Sequence, residues 1–328
     1  MRIFRSRHSH SQLTTVAIRN RPIPTEVFEN TRAFTPESHC AYVYEWSAEE
    51  RSHHATSFKG KDILLIPIDS SDASGIRFMG LPSGQDITVQ LRSEQQLRNI
   101  WTSIERQTVY IDMTGLAHDV WAPLLRSAIS TNRRVRVVYV EPAQYTLSAN
   151  PTEGAIFDLS ERISGIRPIP GFASLATEDD EFYFVPLLGF EGPRFAYLLE
   201  QVQPRGGKII PIIGVPGFRA EYPFYSYLGN RLPLLDSLSW RSARYAAANC
   251  PFSLYYTLED IATEHPFDSL KIAPIGTKPH ALGAVLFSLT RPRAVELVYD
   301  HPIRKASRTS GAARLLVYYV SALFLDTA

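Results

Sequence analysis

One pattern that occurs twice constrains this chain more than any other feature. Thr108-Val-Tyr-Ile-Asp-Met-Thr-Gly115 reads as a strand and turn, Ala117 to Ser130 as a helix, and Val135-Arg-Val-Val-Tyr-Val-Glu-Pro142 as a second strand. Much later, Leu270-Lys-Ile-Ala-Pro-Ile-Gly276 is followed by a helical stretch from about His280 to Leu289 and then by Ala294-Val-Glu-Leu-Val-Tyr-Asp-His-Pro302. Setting Gly115 on Gly276 brings Leu124-Leu125 opposite Val285-Leu286, and Tyr139 and Pro142 opposite Tyr299 and Pro302 with a slip of one residue. The match extends upstream. Ala41 to Trp46, a polar stretch Ser47 to Arg51 and Asp62 to Ile68 correspond to Phe182 to Leu188, Glu191 to Arg194 with a helix to about Gln201, and Lys208 to Ile213.

Each half reads strand, charged turn, strand, then strand, glycine, helix, strand, which is the order of an open parallel sheet with helices on its faces. Nearly continuous apolar runs such as Ile63–Ile66 and Ile209–Ile213 fit strands buried on both faces. The expected fold class is α/β, with two Rossmann-like, mostly parallel open-sheet halves in one chain forming an internal pseudo-dimer. The expected layout is an N-terminal extension over 1–35, a first half over 36–147, a linker over 148–180 and a second half over 181–328. Clustered Pro, Gly and acidic residues mark the linker. The second half carries an aromatic insertion, 216–240, and a C-terminal helix over the apolar run Ala312 to Leu325. Tyr222, Phe224, Tyr225, Tyr227 and Trp240 beside Arg219 and Arg231 suit either base stacking or burial of the insertion against its own domain.

Length and composition agree with two globular domains: 328 residues, 45% hydrophobic and 20% charged. Lys and Arg number 34 against 33 Asp and Glu, so no global positive field argues for binding long nucleic acid. Cys40 and Cys250 form neither a metal pair nor a disulfide framework, as expected in a reducing compartment. No apolar stretch has signal-peptide or membrane-span length, and a cytoplasmic location without membrane contact is expected.

In open parallel sheets, ligands bind beyond the C-terminal ends of the strands. That rule selects Glu45 to Ser47, Asp69 to Asp72 and Asp112 to Gly115 in the first half, and Gly189 to Arg194, Gly214 to Arg219 and Pro274 to His280 in the second. Ile275-Gly276-Thr277-Lys278-Pro279-His280 is the most informative of these. A strand-end Gly lets a ligand approach the backbone, a helix start offers unpaired N–H groups, and Thr and Lys donate to phosphate oxygens. A capping Thr followed by a solvated Lys would read the same way.

The strand ending in Gly276-Thr277-Lys278 before the small residues Ala281, Gly283 and Ala284 resembles the Gly-Thr-Lys motif of CRISPR-associated Rossmann-fold (CARF-like) sensor domains. Ile111 to Gly115 is similar to another strand end of such domains but lacks the Lys. The resemblance implies a cyclic oligoadenylate ligand at a twofold junction and an antiviral defence setting. Family members usually carry an effector domain on the same chain, and here little sequence is left over for one. The resemblance therefore implies a sensor that passes a signal to a separate protein partner, an enzyme that degrades its own ligand, or a different function on a similar scaffold.

No P-loop, dinucleotide fingerprint, zinc-protease motif or nucleophile elbow is present, and no cofactor is implied. The expected function is a nucleotide-type ligand sensor with no catalytic residue assigned. Its small anionic ligand would meet Gly276, Thr277, Lys278, Arg194 and Arg219 from one half and Ser47, Asp112 and Thr114 from the other. Two alternatives stand beside it. One is a metal-dependent hydrolase or nuclease using Asp69, Asp72 and Glu45, and the other is a non-catalytic partner subunit that docks through its aromatic insertion, Tyr222 to Trp240, and its C-terminal helix, Ala312 to Leu325.

Overall fold

Runs of β-branched and aromatic residues form the strands, and stretches with apolar residues three and four apart form the helices between them. The computed structural model describes residues 23–72, 75–173, 181–266, 268–292 and 294–324. The described elements begin with β1 (Thr25–Phe28), β2 (Cys40–Tyr44), β3 (Ile63–Asp69), β4 (Ile76–Phe78), β5 (Ile87–Val89), α1 (Glu94–Ser103), β6 (Thr108–Asp112), α2 (His118–Ile129) and β7 (Arg134–Tyr145). Four short strands follow: β8 (Leu147–Thr152), β9 (Ala155–Phe157), β10 (Ser160–Ile163) and β11 (Arg167–Pro168). The next stretch holds β12 (Phe182–Leu188), α3 (Gly192–Val202), β13 (Ile212–Gly214), α4 (Tyr222–Gly229), α5 (Arg231–Asp236), β14 (Arg244–Ala246) and α6 (Pro251–Glu264). The chain closes with β15 (Ser269–Pro274), α7 (Lys278–Thr290), β16 (Val295–Tyr299), β17 (Pro302–Arg304) and β18 (Thr309–Tyr318).

The result is a mixed α/β protein with two distinct sheet-bearing regions. One sheet has the strand order β1-β18-β7-β6-β2-β3-β4-β5 and the other β11-β16-β15-β12-β13-β14. Within them, β7-β6-β2-β3 and β16-β15-β12-β13 are runs of parallel neighbours whose members follow the same chain order. The first sheet is not mostly parallel: β1, β18, β4 and β5 all pair antiparallel, extending both of its ends. In the second sheet only β11 runs antiparallel. The strand expected over Lys208 to Ile213 shrinks to Ile212–Gly214 plus a bridge from Phe184 to Ile209, because Pro211 has no N–H to donate.

The glycines aligned in the sequence occupy like positions. A Cβ on Gly115 would lie 2.0 Å from the carbonyl of Glu45, just past β2, and one on Gly276 would lie 2.8 Å from that of Leu188, at the end of β12. At both turns the backbone of the neighbouring central strand leaves no room for a Cβ, which by itself requires glycine there.

Helix α1 packs on α2, α2 on α7 and α7 on α6, and this helical layer carries one apolar core from the first sheet to the second. On the far faces, Phe34 and Phe58 cover the first sheet, while Phe195, Leu198 and Leu234 cover the second.

Three expected features differ. The C-terminal run is not a helix: Leu315 to Tyr318 are buried in β18, which pairs antiparallel with β7. A run apolar on every side satisfies a helix and a fully covered strand equally, and here the open edge of β7 decides. The end of the chain therefore belongs to the first sheet, and 181–328 is not one continuous half. The linker expected over 148–180 packs on the body over its described residues, with β10 on β17, β11 on β16, and Phe157, Leu159, Ile169 and Phe172 buried. Its acidic run, 178–180, lies outside the described residues, as does most of the N-terminal extension, 1–22. No described helix is long and apolar enough to cross a membrane.

Candidate functional site

The C-terminal ends of β12, β13, β15 and β16 open onto a cleft between the two regions. It has about 940 Å³ of unoccupied space, open mouth included, which is the size class of a small-molecule site. Gly189, Gly214 and Ile275 to Lys278 form its floor, Tyr222 and Ser226 of α4 one wall, and Arg51, His118, Tyr139, Tyr145, Arg304 and Arg308 the opposite side.

Local sequence fixes each part. Thr277 caps α7 by accepting from the His280 N–H at 3.3 Å and ties the turn to the next loop by donating to Ala248 O at 2.7 Å. Ser226 and Asn230 hold the floor by donating to Gly189 O at 3.0 and 2.8 Å.

Five cationic side chains reach the cleft, and four of them are engaged by the protein itself. Arg194 forms a two-pronged pair with Asp300, at 2.8 and 2.6 Å, and donates to Ile275 O at 3.1 Å. Burial works against the charge on Arg194, but Asp300 overcomes it and raises the pKa. Arg51 and Arg308 grip Glu49 from two sides, each with an Nε contact of 2.6 Å. Burial raises the Glu49 pKa, but Arg51 and Arg308 outweigh it and hold the carboxyl well below the usual range.

Lys278 is buried and donates to Met113 O, Thr114 O and Leu116 O at 2.5, 2.7 and 2.8 Å. Burial pushes its pKa well down, with Arg304 and Arg51 adding to the push. The three carbonyls, one for each ammonium N–H, act in the opposite sense.

The fifth cation is different. Arg304, half-buried on β17, donates from Nη2 to His118 Nδ1 at 3.0 Å and has no carboxylate within ion-pair distance among the described residues. His118 is buried, and burial pushes its pKa well down, with Arg304 and Lys278 adding to it. Its ring is therefore neutral at pH 7, and because Nδ1 accepts, the proton sits on Nε2. That Nε2 has no partner, while Tyr299 Oη lies 3.2 Å from Nδ1.

Aromatic rings line the rest. Phe190 stacks on Phe157 with centroids 4.4 Å apart and meets Tyr145 and Tyr222 edge-on, each at 5.3 Å, while Phe218 leans on Tyr139. An anionic group at Arg304 and a flat apolar group against these rings are what the cleft can hold at once.

Of the expected site residues, Gly276, Thr277, Lys278 and Arg194 line the cleft, and Arg219, Ser47, Asp112 and Thr114 do not. Arg219 is half-exposed and pairs with Glu221 at 3.4 Å. The Ser47 hydroxyl bonds to Ser52 Oγ at 3.2 Å. Asp112 is buried, accepting from Tyr42 Oη at 3.0 Å and from the Thr114 N–H at 2.9 Å, and Thr114 Oγ1 accepts from Val140 N.

The carboxylates considered for a metal do not converge. Glu45 accepts from Ser70, Asp69 from Ser71 and Arg77, and no metal-binding group of three or more His, Cys, Asp or Glu exists among the described residues. Arg304, Tyr299 and His118 also line the cleft and are not among the expected site residues. The strand-end rule, extended to the loop after β16, would have selected Asp300 to Arg304. No protein-family model matches the chain, and no curated protein matches its sequence.

Proposed function

We propose that this chain is a binding protein for a small anionic nucleotide-type ligand, held in the cleft between two Rossmann-like halves of an internal pseudo-dimer. The observation that carries the reading is Arg304. It is a cation at the edge of an aromatic-lined cleft whose other cations are committed to Asp300, to Glu49 or to backbone carbonyls. A phosphate oxygen supplies the partner it lacks, and a base suits Phe190, Tyr145 and Tyr222. The position at parallel strand ends is where such ligands bind in open α/β sheets. With the resemblance to CRISPR-associated sensors, the reading extends to a cytoplasmic defence sensor that signals to a partner carrying the effector.

Thermal unfolding with a panel of ligands tests this. The panel contains linear and cyclic oligoadenylates, mononucleotides, a nucleoside and inorganic phosphate. A binder present at 100 times its Kd adds about 2.7 kcal/mol of stability and raises Tm. At least one phosphorylated nucleotide should do so, and the nucleoside should not. A panel without any shift overturns the reading, and an equal shift by the nucleoside removes Arg304 from it.

A further inference from the structure

Helix α4 has two unlike faces. Tyr222 and Ser226, one turn apart, turn inward to the cleft, whereas Phe224 and Leu228, also one turn apart, face out, with Phe224 74% exposed. The outward apolar surface continues through Leu232 and Leu235 of α5 to Leu238 and Trp240. Helix α4 packs on α5, and α5 on the short helical turn Ser239–Ser242. Tyr245 of β14, also exposed, is joined to α4 by a 2.5 Å bond between its hydroxyl and that of Tyr227.

At roughly half exposure each, these seven side chains present on the order of 700 Å² of mostly apolar surface. Ordinary monomers show a largest apolar patch of about 300–600 Å², and one partner of a standard interface buries about 800 Å². The patch therefore has the area of one side of a stable interface.

Charge indicates which partner fits. Asp236, ending α5, and Arg241, five residues on, have no ion-pair partner among the described residues, and Arg241 only stacks over Trp240 at 5.4 Å. One unpaired anion and one unpaired cation beside the same patch complement themselves when the patch meets its own copy about a twofold axis. We propose that this outer face of α4 and α5 is a self-association surface, on which Asp236 of each copy pairs with Arg241 of the other. The proposal does not depend on the ligand reading.

Sedimentation equilibrium of the full chain, from about 1 to 100 μM, decides it. Wild type should be a dimer and Leu232→Glu a monomer whose circular dichroism is unchanged because Leu232 is exposed, and whose Tm lies below that of wild type only at concentrations where wild type is dimeric. Asp236→Arg and Arg241→Asp should each weaken the dimer at least about tenfold by bringing like charges together. The combined exchange should restore it. The proposal is overturned by a wild type that stays monomeric throughout, which would leave the patch to a foreign chain. It is equally overturned if Leu232→Glu dimerises like wild type, or if the combined exchange is no tighter than the single ones.

Discussion

The Lys278 ammonium at the start of α7 lies 2.5 Å from the carbonyl of Met113, which follows β6 in the other sheet region. With Thr114 O and Leu116 O it makes a clamp of three bonds across the seam. Lys278→Ala should therefore act on folding first. It strands three carbonyls that have lost their donor, a loss of about 3 kcal/mol and a Tm lower by roughly 5 °C or more. Thermal denaturation checks this, and an unchanged Tm would show that the clamp contributes nothing.

Glycine at the two matching turns makes a second test. Ala at 276 drives a Cβ to 2.8 and 2.9 Å from Leu188 O and Leu187 O, and Ala at 115 drives one to 2.0 Å from Glu45 O. Gly276→Ala should cost about 1–3 kcal/mol and Gly115→Ala more, because neither central strand can yield without moving its neighbours. Urea denaturation ranks the two variants. If both keep the wild-type midpoint, the close strand approach is not what these glycines serve.

Much of this architecture is legible in the sequence. The runs at 41–46, 62–68, 108–112, 182–188 and 270–274 are strands close to where their apolar pattern puts them, and the stretch after Gly115 is helix α2. What stays hidden depends on pairing between distant parts of the chain. Nothing near Leu315 shows that β18 will close on β7, because burial on both faces erases the period that separates helix from strand. Lys278 was legible as a strand-end cation but not as one whose three donors are consumed by the other region, more than 160 residues away. Arg304 enters the cleft only once β17 has paired with β10, a contact with no local signature.

Two buried histidines set a pH dependence. His280 is pushed down to about 4 from 6.5, chiefly by burial and despite its bonds to backbone carbonyls, and His118 is pushed well down by burial and nearby cations. Between those folded values and 6.5 the unfolded chain binds protons that the folded one refuses, so the histidines' contribution to stability is complete above 6.5 and falls as pH drops. The slope approaches about 1.4 kcal/mol per pH unit for each histidine. Below 4.5 protonation pressure on Glu49, whose folded pKa is depressed, adds a further loss. Denaturation at pH 7.5, 6.0 and 5.0, chosen about these values, should show the decline, and a His118→Gln/His280→Gln variant should flatten it. A decline of the same size in that variant would assign it to other groups.

The most direct test of the cleft as an anionic nucleotide site is calorimetric titration of wild type and Arg304→Ala with the phosphorylated nucleotide that most raises the wild-type Tm. The only side-chain bond this substitution removes within the described chain is the one to His118, so the variant should fold normally. Loss of a charge-assisted contact should weaken binding by roughly 10- to 100-fold. Equal affinity in the two proteins, or no heat with any phosphorylated nucleotide at wild type, would contradict the account.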